Sequence, residues 1–189
     1  VRLSVYRKDG GYYTPKTNKI DYLIEVKEHT YSTKENYVID VFKDFYNYSG
    51  LLSTIKTNNR MLNTLAGVFA NENDLDNCVL INEKKGVVEV TNGNIFIVKD
   101  NVVKTPALTE GCIKGIVRGK VLEIINKNDD YIMEETSISP FEIQKADEVF
   151  ITNAIIGIQA VTNYKKKVFK KNLSNKIASN LKILEFTSS

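Results

Sequence analysis

The chain has 189 residues, 42% hydrophobic, 26% charged and 10% aromatic with no Trp, a composition that suits a globular protein of one sizeable domain or two small ones. A formal charge of +3 is too small to argue for a nucleic-acid or anionic-membrane partner, and no apolar run approaches the ~20 residues of a spanning helix. Cys78 and Cys112 lack metal spacing and His29 is the single histidine, which argues against a multi-imidazole zinc site and fits a reducing, cytoplasmic setting.

The first residues, Val1 to Arg7, alternate as a strand does and have no signal-peptide profile. They also lack an initiator Met, which reads as a start in the middle of a fold. Gly10-Gly11 before Tyr12-Tyr13-Thr14-Pro15 marks a turn, and Ile20 to Val26 and Val38 to Phe42 are predicted strands. The charged stretch Lys27 to Asn36 between them is a connection, with His29 an exposed surface residue. Asn47 to Thr54 is a loop leading to Ile55-Lys56. Met61, Leu62, Leu65, Val68 and Phe69 recur at helical spacing, which predicts an amphipathic helix ending near Asn71. Short strands follow at Cys78 to Ile81, Val87 to Val90, Ile95 to Val98 and Val102 to Lys104, separated by Lys84-Lys85-Gly86, Asn92-Gly93 and Asp100-Asn101.

Gly115 opens a second helix through Val121, Leu122 and Ile125. Ser139-Pro140-Phe141-Glu142 combines a capping Ser, Pro at the first helical position and Glu at the third, the start of a short helix. Strands are predicted at Val149 to Thr152 and near Ile158 to Val161, and a last helix over Leu173 to Leu184. The basic cluster Lys165 to Lys167 with Lys170-Lys171 reads as a solvated turn and tail. The whole is mixed α and β with many antiparallel hairpins and no dinucleotide-binding βαβ unit.

Lys56 sits between apolar Ile55 and a helix start, a strand-to-helix junction where partial desolvation would favour a nucleophilic amine. That setting by itself does not separate it from the other lysines. Glu89-Val90-Thr91-Asn92-Gly93-Asn94-Ile95-Phe96 places Glu, a small residue, Asn, an aliphatic and an aromatic at fixed offsets. Val103-Lys104-Thr105 and Ile113-Lys114-Gly115-Ile116-Val117-Arg118 follow as aliphatic-x-Thr and aliphatic-x-Gly-aliphatic-x-basic. These three blocks, in register, resemble the signature of the class IV aminotransferase family, and Ala146-Asp147-Glu148-Val149-Phe150 extends the likeness. Lys56, 33 residues before Glu89, then falls where that family has its Schiff-base lysine.

The resemblance implies an α+β, two-domain pyridoxal-phosphate fold type IV (D-amino acid aminotransferase-like), mostly antiparallel strands with a few helices, N-terminally incomplete. On that view residues 1–55 are the remainder of the small N-terminal α/β domain and 56–189 the larger cofactor-binding domain. It implies pyridoxal 5'-phosphate as cofactor, Lys56 as the catalytic residue, Glu89 at the pyridine nitrogen, and the amides of Ile116 and Val117 at the helix opened by Gly115 on the phosphate. Arg118 and Asn94 take supporting structural roles. Asn153 is a contact to phosphate or substrate, and Ala154 lies beside it on the substrate side. Tyr12 and Tyr13 are either substrate contacts, as in relatives, or ordinary strand aromatics. A homodimer acting on a small-molecule amino substrate is implied, with no metal.

Within the family, transaminases for branched-chain substrates place a Tyr five residues after the lysine, where this chain has Met61. Ile55-Lys56-Thr57-Asn58-Asn59-Arg60-Met61 instead resembles the Ile-Lys-x-x-Asn-Arg-Leu run of 4-amino-4-deoxychorismate lyases. Asn153-Ala154-Ile155-Ile156 replaces the Ser-Gly-Thr-Ala-Ala of transaminases in the same lyase-like way. The resemblance therefore implies conversion of 4-amino-4-deoxychorismate to 4-aminobenzoate and pyruvate, a step of folate biosynthesis. A branched-chain or D-amino acid aminotransferase, and a non-catalytic fragment retaining the fold, are the alternatives.

Overall fold

A computed structural model describes residues 1–28 and 32–187, with side chains of the last helix described through residue 182. His29 lies outside the described residues. By contact the chain separates into two compact units, Val1–Tyr31 and Ser32–Ser189.

The first unit is an antiparallel hairpin of β1 (Arg2–Arg7) and β2 (Ile20–Glu25), in register from Arg2 opposite Glu25 to Arg7 opposite Ile20. The turn residues Gly10 and Gly11 both have positive φ, and a Cβ on Gly11 would lie 1.9 Å from the Thr14 carbonyl oxygen. Leu3, Val5, Leu23 and Ile24 are each more than half exposed, so the hairpin encloses no core of its own.

The second unit runs in chain order β3 (Val38–Val41), α1 (Met61–Glu72), β4 (Asn77–Ile81), β5 (Val87–Val90), β6 (Asn94–Lys99), β7 (Val102–Pro106), α2 (Ile116–Asn126), β8 (Ile132–Thr136), α3 (Pro140–Lys145), β9 (Glu148–Asn153), β10 (Gly157–Val161), β11 (Asn163–Tyr164), β12 (Lys167–Val168) and α4 (Asn172–Thr187). Its strands form two five-stranded sheets, ordered β12-β11-β3-β4-β5 and β10-β9-β6-β7-β8. Parallel pairs (β11 with β3, β3 with β4, β7 with β8) stand among antiparallel ones, so both sheets are mixed.

Burial explains the layers. Ile39, Val41, Val79 and Val87 of the first sheet share one core with Ile95, Ile97, Val149 and Ile151 of the second. The other face of the second sheet, with Phe96 stacked on Phe150 at 4.9 Å, packs against Val121 and Ile125 of α2 and Leu173 and Ile177 of α4. Ala66 and Ala70 of α1, four residues apart, close on Cys78 and Leu80 of β4. Strands buried on both faces explain why β4, β5 and β6 read as nearly continuous apolar runs. α4 is anchored at its start by the buried Glu148 carboxylate, which accepts from the amides of Asn172, Leu173 and Ser174.

The predicted elements are present, the Ser139 capping box included. Two differences matter. The loop predicted over Asn47 to Thr54 is present, with turns at residues 51–54, so the junction at Lys56 is a loop-to-helix one and not the strand-to-helix junction expected there. β8, β11 and β12 are not among the predicted strands, being short or carrying apolar residues only at one end, and they exist through pairing: β8 and β12 at sheet edges and β11 between β12 and β3. The contact division at Tyr31 also puts residues 32–55 with the larger unit, because β3 pairs in parallel with β4.

Candidate active site

The site grows from β5. Glu89 stands in a strand buried at all four positions, opposite Leu80, where the register of β4 on β5 shifts. Its side chain is 3% exposed. Burial pushes its carboxyl up to about 7, against the amide of Ile113 and the charges of Arg60 and Lys56, which favour the ionised form. Ile113 donates its backbone N–H to Oε2 at 2.9 Å, and Arg60 Nη1 lies 3.9 Å from Oε1. A carboxylate in this strand is thus not a solvated edge group but a buried acid with partners on each oxygen.

Lys56 is exposed, at the tip of a tight turn in which the Thr57 N–H donates to the Ile55 carbonyl at 2.9 Å. The desolvation expected at this lysine is therefore not provided by its neighbours here. Its charge nevertheless acts on Glu89, so the turn and the strand share one electrostatic neighbourhood. The Lys114 N–H donates to the Thr54 carbonyl at 3.0 Å, so residues 113 and 114 bind Glu89 and the Lys56 loop at once.

The same segment leads into α2. Gly115 is its N-cap residue and no side chain caps the helix, so the amides of Ile116 and Val117 have no side-chain acceptor. A Cβ on Gly115 would lie 2.2 Å from Asn94 Oδ1. Asn94 also donates through Nδ2 to the Ile113 carbonyl at 2.8 Å, fastening β6 to the approach to the helix. Arg118 is buried one turn on, its Nη2 donating to the Pro106 carbonyl at 2.9 Å and to Glu135 at 2.6 Å. Thus Arg118 and Asn94 have structural partners of their own.

Asn153 ends β9. Its Oδ1 accepts from the amides of Ile155 and Ile156, both at 2.9 Å, and so shapes the turn that follows. Among the described residues its Oδ1 already has two donors, so the amide NH₂ is the part that could meet another group. Ala154 is exposed beside it. Tyr12 and Tyr13 belong to the hairpin unit and are fully exposed there. Cys78 and Cys112 are buried, with thiols pushed up to about 11 chiefly by desolvation, which makes them poor nucleophiles.

Lys56, Glu89, Ile113 and Gly115 are thus linked through hydrogen bonds and charge. The contributions of Arg60 and Ile113 to Glu89 were not anticipated from sequence. A buried carboxylate requires donors, which is the only signal that could have prompted a search for them.

The arrangement fits a phosphorylated, nitrogen-bearing ring. An uncapped helix start offers amides and a positive dipole end to a phosphate, Gly115 leaves the backbone bare, and the buried acid suits a ring nitrogen.

Comparison with known proteins points the same way. The family model described as amino-transferase class IV matches residues 1–164. The chain is 33% identical over 128 residues, 68% of its length, to a provisionally named branched-chain-amino-acid aminotransferase of Methanocaldococcus jannaschii. It is 32% identical over 112 residues, 59% of its length, to an aminodeoxychorismate lyase of Vibrio harveyi. It spans 44% and 41% of those two relatives. In fold it matches the branched-chain amino acid aminotransferase of Thermobaculum terrenum in its pyridoxal-phosphate form, with a TM-score of 0.74 at 19% identity, covering 81% of this chain and 52% of that one.

Proposed function

This chain belongs to the class IV aminotransferase family, and from that premise we propose that it is the cofactor-holding core of a pyridoxal-phosphate lyase acting on 4-amino-4-deoxychorismate. The observation that carries the choice of lyase is the pair of sequence departures from transaminases, Asn59-Arg60-Met61 after the lysine and Asn153-Ala154-Ile155-Ile156 after β9. The aminodeoxychorismate lyase among the relatives supports it. The branched-chain aminotransferase likeness keeps amino-group transfer as the second reading.

When bound, pyridoxal 5'-phosphate supplies an electron sink next to the substrate's nitrogen. Lys56 would be the residue that holds it covalently, and its amine would be the base that moves the proton at the amine-bearing carbon. The amides of Ile116 and Val117 would hold the phosphate, and Glu89 would keep a proton on the ring nitrogen. Asn153, through its free amide, and Ala154 line the substrate side. The substrate loses its side chain as pyruvate and its ring becomes that of 4-aminobenzoate, with no other reactant consumed. The protein works in the cytoplasm as a homodimer. Among the described residues no helix is long and apolar enough to cross a membrane.

Two measurements test this. Incubation with 4-amino-4-deoxychorismate should release pyruvate without an amino acceptor; transfer of the amino group to 2-oxoglutarate with no pyruvate would establish the aminotransferase instead. Borohydride trapping of added pyridoxal phosphate, read by peptide mass spectrometry, should mark Lys56 and lose that mark in Lys56→Ala. Labelling spread evenly over the exposed lysines would support a non-catalytic fragment.

A further inference from the structure

The Lys56 turn is exposed and short, and has few bonds of its own. Apart from the Thr57 to Ile55 bond, the Ile55 N–H donates to the Leu52 carbonyl at 3.2 Å and the Thr54 carbonyl accepts from Lys114. A turn held so lightly samples several arrangements unless something else restrains it. One side chain does. Arg60, four residues on and just before α1, reaches back over the turn. Its Nε donates to the Thr57 carbonyl at 3.2 Å and its Nη2 to the Ile55 carbonyl at 3.5 Å. Those two carbonyls flank Lys56 on either side. The remaining nitrogen, Nη1, faces Glu89 Oε1 at 3.9 Å.

We propose that Arg60 is a positioning residue: one guanidinium grips the carbonyls on both sides of Lys56 and faces the Glu89 carboxylate, fixing where the amine stands relative to the acid. The inference rests on the reading of Lys56 as the cofactor lysine. Each contact is modest alone. Together they use three nitrogens of one rigid, planar fork, and that is what makes the geometry informative. A lysine at position 60 carries its three donors on one nitrogen and lacks the fork whose separate nitrogens here meet two carbonyls and face an acid. The charged groups acting on Glu89 are Arg60 and Lys56, and Glu89 in turn acts on the Cys112 thiol. Arg60 therefore also bears on the ionisation of Glu89, while Arg118 and Glu135 act on Cys112 and pair with each other.

The experiment compares the chain with Arg60→Lys and Arg60→Gln. The probes are pyridoxal phosphate with borohydride trapping, titration of a carboxyl-labelled Glu89 by NMR, and amide hydrogen exchange of Thr57. Arg60→Lys keeps the charge, so Glu89 should titrate close to its original value while trapping at Lys56 slows about tenfold and Thr57 exchanges faster. Arg60→Gln should show the same slowing and raise the Glu89 pKa by about one unit. Trapping and exchange at the original rates in Arg60→Lys would overturn the proposal. If Arg60→Gln does not fold, Arg60→Lys alone decides. If the unaltered chain shows no preference for Lys56, the cofactor reading fails; Thr57 exchange then still tests the grip, faster exchange supporting it and unchanged exchange removing it.

Discussion

Glu89 shows how far a single residue can be read. Its place in a spaced pattern of Glu, Asn, aliphatic and aromatic residues made it a candidate, but nothing in that pattern said that both its oxygens would be buried with partners. Its pH behaviour follows from that burial. A carboxyl held above its ordinary value binds its proton more tightly folded than unfolded, so its contribution to stability is complete below the unfolded value of 4.5 and is lost as pH rises through about 7. The loss is on the order of 3 kcal/mol. Urea unfolding at pH 5 and pH 8 should therefore show the original chain losing stability relative to Glu89→Gln as pH rises, and parallel behaviour of the two would mean that the acid is not desolvated. Lys56 is the opposite case. Its exposure was hidden from a reading that set it at a strand-to-helix junction beside apolar Ile55, because Ile55 itself stands exposed in a bend. Apolar residues announce burial only when an element carries them inward.

At the scale of elements, α2 shows why a glycine stands just before the helix. Gly115 has φ −68°, which any residue adopts, so conformational freedom is not its reason. Close approach is: a methyl there would overlap Asn94 Oδ1, and Asn94 cannot retreat without releasing the Ile113 carbonyl. Gly115→Ala should cost about 1–3 kcal/mol in urea unfolding, with part of that cost recovered when Asn94→Ala is added. Full stability in the single variant would show that Asn94 moves freely. α1 was legible as a helix but not in its orientation. Leu62 and Phe69 turn partly inward with Ala66 and Ala70, while Met61, Leu65 and Val68 stay exposed. Five apolar residues spread over two faces, and the two alanines that decide which face is buried carry little hydrophobic signal. The charged edge strand β8 was illegible for a related reason: Glu135 is in the sheet to meet Arg118, a partner 17 residues earlier.

For the whole molecule, the exposed stripe of α1 bears on assembly. Met61, Leu65 and Val68 lie four and then three residues apart, one continuous apolar strip on a helix surface. If the proposed homodimer packs through this strip, the second copy covers it. Leu65→Lys should then convert the dimer to monomer in sedimentation velocity at concentrations where the original chain is dimeric, while far-ultraviolet circular dichroism stays the same. A variant that remains dimeric would place the contact elsewhere. Taken by itself, the sequence determined the family and the order of most elements, and it singled out Lys56, Glu89 and Gly115 as candidates, because spacing along a chain survives in the one-dimensional record. It also carried Asn59-Arg60-Met61, on which the proposed choice of reaction rests. Only the tertiary structure decided that β3 pairs with β4 across a helix, that Ile113 and Arg60 serve the two oxygens of Glu89, and that Lys56 stands on a turn rather than a strand end. Those are matters of which distant groups meet, and hydrogen bonds between residues 24 to 125 positions apart leave no local periodicity to read.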